Sequence, residues 1–139
     1  VVARERATSD AIRRRRELME AAFPAAMVEG FEALVEGMTN HPGDRHVLAA
    51  CVVSPAKLIV TFNVKDFPAE SLAPYDIEVV HPDEFLLDQL DLHPAWSEAA
   101  ITSMLRKNRR PPQEVEELAS ALAQLGMPRS AGAIARLFS

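Results

Sequence analysis

The run Lys57-Leu58-Ile59-Val60-Thr61-Phe62 constrains the fold more than any other stretch of this chain. It is rich in β-branched and aromatic residues without polar alternation, the pattern of a central strand covered on both faces. Just before it, Val47-Leu48-Ala49-Ala50-Cys51-Val52-Val53 is apolar on nearly all sides of a helix, so most of that helix should be buried. Ser54-Pro55 stops it. A second strand, Asp76-Ile77-Glu78-Val79-Val80, follows a loop carrying Pro68 and Pro74. His81-Pro82-Asp83-Glu84 then opens a helix with proline in its first turn and acids at its positive end. Phe85, Leu86, Leu87 and Leu90 form its apolar face. This order of elements predicts an α/β layered fold around a parallel sheet with right-handed crossovers.

The flanks are helical. Thr8-Ser9-Asp10 is an N-cap cluster for a helix running to about Ala22, with Ile12, Met19 and Phe23 on one face and arginines on the other. Pro24 ends it. Ala25 to Glu29 reads as a short, weak strand, and Phe31, Leu34 and Val35 as a helical turn. Two clear strands and one weak one make a thin sheet, so part of the sheet is expected to precede this sequence. Beyond His93, Trp96, Ala100 and Met104 share a helix face. Val115, Leu118, Leu122 and Leu125 keep helical spacing up to Gly126, a C-terminal cap, and Ile134, Leu137 and Phe138 close a last helix. The division expected is an α/β domain over 1–92 and a helical extension over 93–139. That extension either packs on the first domain or forms an interaction surface.

A chain of 139 residues is one domain's length. Its net charge of -5 excludes coating of nucleic acid through bulk charge. Two basic clusters stand out, Arg13-Arg14-Arg15-Arg16 and Arg106-Lys107-Asn108-Arg109-Arg110. Each is either a solvated helix face or a place where RNA or an acidic partner docks. The single Cys51 cannot form an internal disulfide, which fits a reducing cytoplasm. No apolar run approaches the ~20 residues needed to span a bilayer, and the charged start is not a secretory signal.

No zinc-protease, Cys-x-x-Cys, nucleophile-elbow or P-loop motif occurs, and His41, His46, His81 and His93 lack metal-site spacing. Two loop edges remain. Asp44-Arg45-His46 opens the apolar helix, and Thr61-Phe62-Asn63-Val64-Lys65-Asp66-Phe67 leaves the carboxyl end of the first strand, where open α/β sheets bind ligands. Asp44, Asn63 and Asp66 offer hard oxygen donors, which select Mg²⁺ or Mn²⁺ and suit phosphodiester hydrolysis. The same residues also read as an N-cap and ordinary turn residues, with His46 packing or capping.

The stretch His41-Pro42-Gly43-Asp44-Arg45-His46-Val47-Leu48-Ala49-Ala50, followed by Ile59-Val60-Thr61-Phe62-Asn63-Val64-Lys65-Asp66-Phe67-Pro68, resembles the second half of a PIN domain, the fold of VapC-type toxins. Leu72-Ala73-Pro74-Tyr75-Asp76-Ile77 and His81-Pro82-Asp83-Glu84-Phe85-Leu86 continue the likeness, which runs from about Ala11 to Leu92. The resemblance implies a PIN-like three-layer α/β/α fold with a parallel sheet, truncated here at its N-terminus. It also implies a Mg²⁺- or Mn²⁺-dependent endoribonuclease of the cytoplasm, commonly the toxin of a toxin–antitoxin pair. The partners it implies are RNA, an antitoxin protein and a second copy of the chain. Asp44 would hold the metal directly or through water. Asn63 stands where many relatives carry a further acid, and Asp66 would supply the carboxylate that Asn63 does not. Thr61 would orient the loop, with Arg45 and His46 in support. The family's first two acids lie ahead of the part matched here and Asn63 is neutral, so impaired activity is expected of this chain. The alternative is a non-catalytic module that binds RNA or a partner.

Overall fold

A computed structural model describes residues 9–107 and 111–139. Thr8 of the first cap cluster, and Asn108, Arg109 and Arg110 of the second basic cluster, lie outside the described residues. The chain divides into two compact units, Val1–Ala56 and Lys57–Ser139.

In the first unit, α1 (Ser9–Ala22) buries no residue. Its apolar stripe is open to solvent, with Ile12 at 60% and Phe23 at 67% exposure. Arg13 pairs with Asp10, and Arg16 with Glu20 at 2.6 Å; exposed pairs of this kind contribute little. The weak strand expected over Ala25–Glu29 is instead a 3₁₀ turn, Pro24–Ala26. Pro24 fixes the first helical position, and the two alanines have little strand preference to oppose it. A second 3₁₀ turn, Glu32–Gly37, packs against α2 (Arg45–Val53). Leu48, Ala49 and Cys51 of α2 are buried, but Val53 is 43% exposed. Cover therefore lies mainly on one side of a helix whose composition would tolerate it all round.

The second unit starts with a parallel pair, β1 (Leu58–Val60) and β2 (Glu78–Val80), in the register Leu58 to Glu78, Ile59 to Val79 and Val60 to Val80. The connection contains a 3₁₀ turn (Val64–Asp66), the short α3 (Ala69–Leu72) and a second turn (Ala73–Tyr75). It closes through Asp76 in the left-handed region, φ 54°, a conformation aspartate tolerates better than most residues. Ile59, Phe67, Leu72 and Ile77 are buried here. Two-sided cover of β1 is not observed: Leu58 and Val60 are 37% and 42% exposed. Among the described residues the sheet has two strands, and the face of β1 that carries Leu58 and Val60 is the exposed one.

Four helices follow: α4 (Pro82–Leu92), α5 (Pro94–Lys107), α6 (Val115–Gln124) and α7 (Pro128–Leu137). A reciprocal capping box between Glu114 and Glu117 starts α6. Gly126, at φ 90°, ends its turn in the left-handed conformation a C-cap glycine supplies. α7 packs on both α4 and α6, with Met127, Ala131 and Ile134 buried. The face of α5 carrying Trp96 is turned outward, with Trp96 77% exposed. The covered side of that helix is Ser97, Ile101 and Leu105.

One buried charge joins α4 to α7. The Asp83 carboxylate accepts hydrogen bonds from the Ser130 amide at 2.7 Å and the Arg129 amide at 3.1 Å, and the Ser130 hydroxyl donates to the Asp83 carbonyl at 2.9 Å. Burial by itself would raise the Asp83 pKa, but the Ser130 and Arg129 hydrogen bonds outweigh it and hold the carboxyl below its ordinary value of 3.8. The folded state therefore binds this proton less readily than the unfolded chain. The stabilisation is complete above the unfolded pKa and is lost as pH falls through the folded one. Stability of the chain should accordingly decline below about pH 3.8. Asp83→Ala should cost about 2–4 kcal/mol at neutral pH, because two buried amides lose their acceptor. Denaturant titrations over a pH series check both, and an unchanged acid limb in Asp83→Asn would refute the linkage.

Candidate functional site

In the first unit the candidate residues sit on a tight turn, His41 to Asp44. Pro42 starts this 3₁₀ turn, the Asp44 amide donates to the His41 carbonyl at 2.9 Å, and the Gly43 amide donates to His41 Nδ1 at 3.1 Å. A Cβ on Gly43 would come within 3.3 Å of that imidazole, so the close approach suits glycine. Asp44 occupies the N-cap position of α2, yet its side chain makes no cap hydrogen bond. The carboxylate is half-buried and uncommitted.

Asn40, which sequence reasoning passed over, organises this turn. It is 2% exposed. Its Nδ2 donates to the Asp44 carbonyl at 3.1 Å, while its own carbonyl accepts from Arg45 Nε at 3.0 Å. Arg45 thus serves as a clamp on the chain preceding the turn. The Asn40 Oδ1 atom is buried without a hydrogen-bond partner. An asparagine four residues before a helix-opening aspartate was the available signal. His46 is exposed on the first turn of α2.

In the second unit, Thr61 leaves β1 with its amide bonded to the Val80 carbonyl at 3.0 Å, and its Oγ1 accepts from the Asn63 amide at 3.1 Å. That bond bends the chain into the Val64–Asp66 turn, closed by the Asp66 amide donating to the Asn63 carbonyl at 2.9 Å. Asn63 is exposed and its side chain does not cap the turn. Asp66 is half-buried, and among the described residues its carboxylate makes no ion pair or hydrogen bond. Phe62 meets the His81 ring edge-on, with centroids 5.1 Å apart. His81 Nδ1 accepts from the Asp83 amide at 3.0 Å, so a neutral imidazole there carries its proton on Nε2. Sequence spacing had not singled out His81, and only the pairing of β1 with β2 brings it to this edge.

The chemistry on offer is hard-oxygen chemistry. Asp44 and Asp66 are both half-buried carboxylates not consumed by internal hydrogen bonds, and Asn63 adds an amide. Oxygen donors of this kind, in each unit by itself, are of the class that Mg²⁺ or Mn²⁺ takes and a softer metal does not.

Residues 82–136 match the family described as the VapC50 C-terminal domain. The chain is also 44% identical over 113 residues to a Mycobacterium tuberculosis (strain ATCC 25618 / H37Rv) protein named "Putative ribonuclease VapC50". The matched stretch covers 81% of this chain and 66% of that relative, just under two thirds of its length. It leaves 26 of 139 residues outside, so positions 27 to 113, including both loop edges, lie within it. The family match begins at the first residue of α4 and ends in the last turn of α7. No solved structure matches the chain.

Asn40 gives a test of the first loop edge. Asn40→Asp puts an acceptor opposite the Asp44 carbonyl and should cost about 2–3 kcal/mol. Asn40→Ala removes one hydrogen bond together with the unpaired Oδ1, and should cost only about 1 kcal/mol. Urea titration of both variants checks the order, and the reverse order would mean that the amide is turned the other way.

Proposed function

We propose that this chain is part of a metal-dependent endoribonuclease of the VapC type, with Asp44 and Asp66 as carboxylate ligands of Mg²⁺ or Mn²⁺. The observation that carries the reading is the state of Asp44. It stands at a helix N-cap position without capping, on a turn that Asn40 and Arg45 hold in place. An N-cap aspartate normally spends its carboxylate on the first-turn amides. One that does not is available to a cation or a substrate. The VapC50 relative's name as a ribonuclease favours cleavage over binding alone.

When bound, a divalent cation neutralises the scissile phosphate and makes water acidic enough to yield a nucleophile near neutral pH. The chain's own residues do the positioning. Asn40 and Arg45 fix the Asp44 backbone, so its carboxylate points from a rigid support. Thr61 fixes the Asn63 amide and through it the turn that presents Asp66, while the Asn63 side chain remains available to orient a phosphate oxygen or a water. His46, two positions after Asp44, is the supporting donor. The reading assigns the chain to a toxin–antitoxin pair and supplies its other partners, an antitoxin protein and a second copy of the chain. The α1 groove lined by Ile12, Met19 and Phe23, with Arg15 and Arg16 on its rim, suits an acidic amphipathic segment.

The test is Mn²⁺-dependent cleavage of labelled single-stranded RNA by this chain. Activity should disappear with chelator and fall about a hundredfold or more in Asp44→Asn and Asp66→Asn, since even outer residues of metal sites cost up to that. RNA bound but left intact under every metal condition would move the chain to the binding-only alternative.

A further inference from the structure

The outward face of α5 is not used by the proposed site. Trp96 is 77% exposed and Leu92 is 68% exposed. The Trp96 ring stacks on His93, with centroids 5.5 Å apart and 18° between the planes. The corner that carries them is held firmly: the Ser97 amide donates to the His93 carbonyl at 2.9 Å, and the Ser97 hydroxyl to the Gln89 carbonyl at 3.4 Å. Trp96, Ala99, Ser103 and Lys107 recur at helical spacing and share one face. Beside them runs a shallow groove of about 550 Å³ lined by Glu98, Thr102, Ser103, Arg106 and Lys107 among others.

We propose that this face of α5 binds single-stranded RNA, with a base stacked on Trp96 and the backbone running along the groove to Arg106 and Lys107; the choice of RNA rests on the ribonuclease reading above. An exposed indole already aligned with an imidazole is a platform for a planar base, and stacking of this kind is tolerant of sequence. The two ends of the face lie roughly 16 Å apart at ~1.5 Å per residue, room for a few nucleotides. Between them the helix presents alanine and serine, which admit a sugar–phosphate chain closely. The cations come last, where Arg106 and Lys107 also begin the basic run that continues in the sequence as Asn108-Arg109-Arg110. Glu98 lies on the groove wall, and the hydroxyls of Thr102 and Ser103 separate it from the cations along the helix. A protein partner fits this face less well. Its large exposed apolar side chains are Trp96, Leu92 and Met104, with small and polar residues between them, whereas a stable protein interface needs roughly 800 Å² a side around an apolar centre.

Trp96 is the chain's sole tryptophan, so its fluorescence reports this face alone. The 139-residue chain, held in chelator so that nothing is cut, is titrated with oligouridylate, with a mixed-sequence single-stranded RNA and with an RNA duplex. Single strands should quench Trp96 saturably, and the duplex should not. Trp96→Ala should weaken binding of end-labelled RNA about tenfold, and Trp96→Phe should restore most of it. Arg106→Glu with Lys107→Glu should flatten the salt dependence of binding. Circular dichroism confirms that each variant folds. RNA that binds without quenching Trp96, or a spectral shift that follows chain concentration instead of RNA, would overturn the proposal, the latter in favour of a protein-docking face. Quenching by RNA in a chain that never cuts would sink the ribonuclease reading and leave this one standing. Cleavage with an unchanged KM in Trp96→Ala would do the opposite.

Discussion

The second unit is organised around one buried carboxylate. α7 begins Met127-Pro128, so it has no side chain of its own to cap it, and its N-cap residue makes no cap hydrogen bond. Proline brings no amide, which leaves the Arg129 and Ser130 amides as donors needing an acceptor. Asp83 supplies it from 46 and 47 residues away, and Ser130 returns a bond to the Asp83 carbonyl. Burial of Met127, Ala131 and Ile134 would hold α7 against its neighbours in several orientations. Three directional bonds to one residue select one of them.

The same residue reaches back to the sheet. Asp83 lies three residues after β2, and its amide donates to His81 Nδ1. His81 meets Phe62, the residue after Thr61, and Thr61 is bonded to Val80 and to Asn63. A continuous path of short-range contacts thus runs from the helical end of the unit to the turn that carries Asp66. The helical segment that matches the VapC50 C-terminal domain is therefore tied into the edge where the chemistry is proposed. Loosening the Asp83 cap would be felt at the Asn63–Asp66 turn as well as in α7.

What could be read from sequence follows from the range of the forces involved. The apolar α2, both strands, the proline-led α4, and α6 up to Gly126 are all encoded by neighbours within a few residues, and all are present. Ala25–Glu29 failed because a proline at the first position of a turn outweighs weak strand propensity. The cap by Asp83 was invisible because its partners are separated by more than forty positions, and its first-turn placement in α4 offered a complete local explanation. Asn40 is hard to see for a related reason: its place four residues before Asp44 is the one local signal, and the burial of its side chain is not set by its immediate neighbours. Periodicity also says which residues share a face, never which face is covered. α5 has one apolar stripe through Trp96, Ala100 and Met104 and another through Ile101 and Leu105, and only the second is packed. Thr61, Asn63 and Asp66 were legible as a loop edge because strand, turn and acid are contiguous.

Charge sets the terms on which such a molecule can meet RNA. With a net charge of -5 the chain as a whole repels a polyanion, so attraction has to be local and short. At physiological ionic strength fields between exposed charges decay over about 8 Å, and the separation along α5 between Trp96 and Lys107 is roughly twice that. The stacking end and the cationic end of the face are therefore nearly independent: salt weakens the second and leaves the first almost untouched. On the proposed reading, an acidic chain built this way would discriminate single strands through an uncharged contact while using few cations, and the acids that a metal site requires would then cost it little in substrate binding.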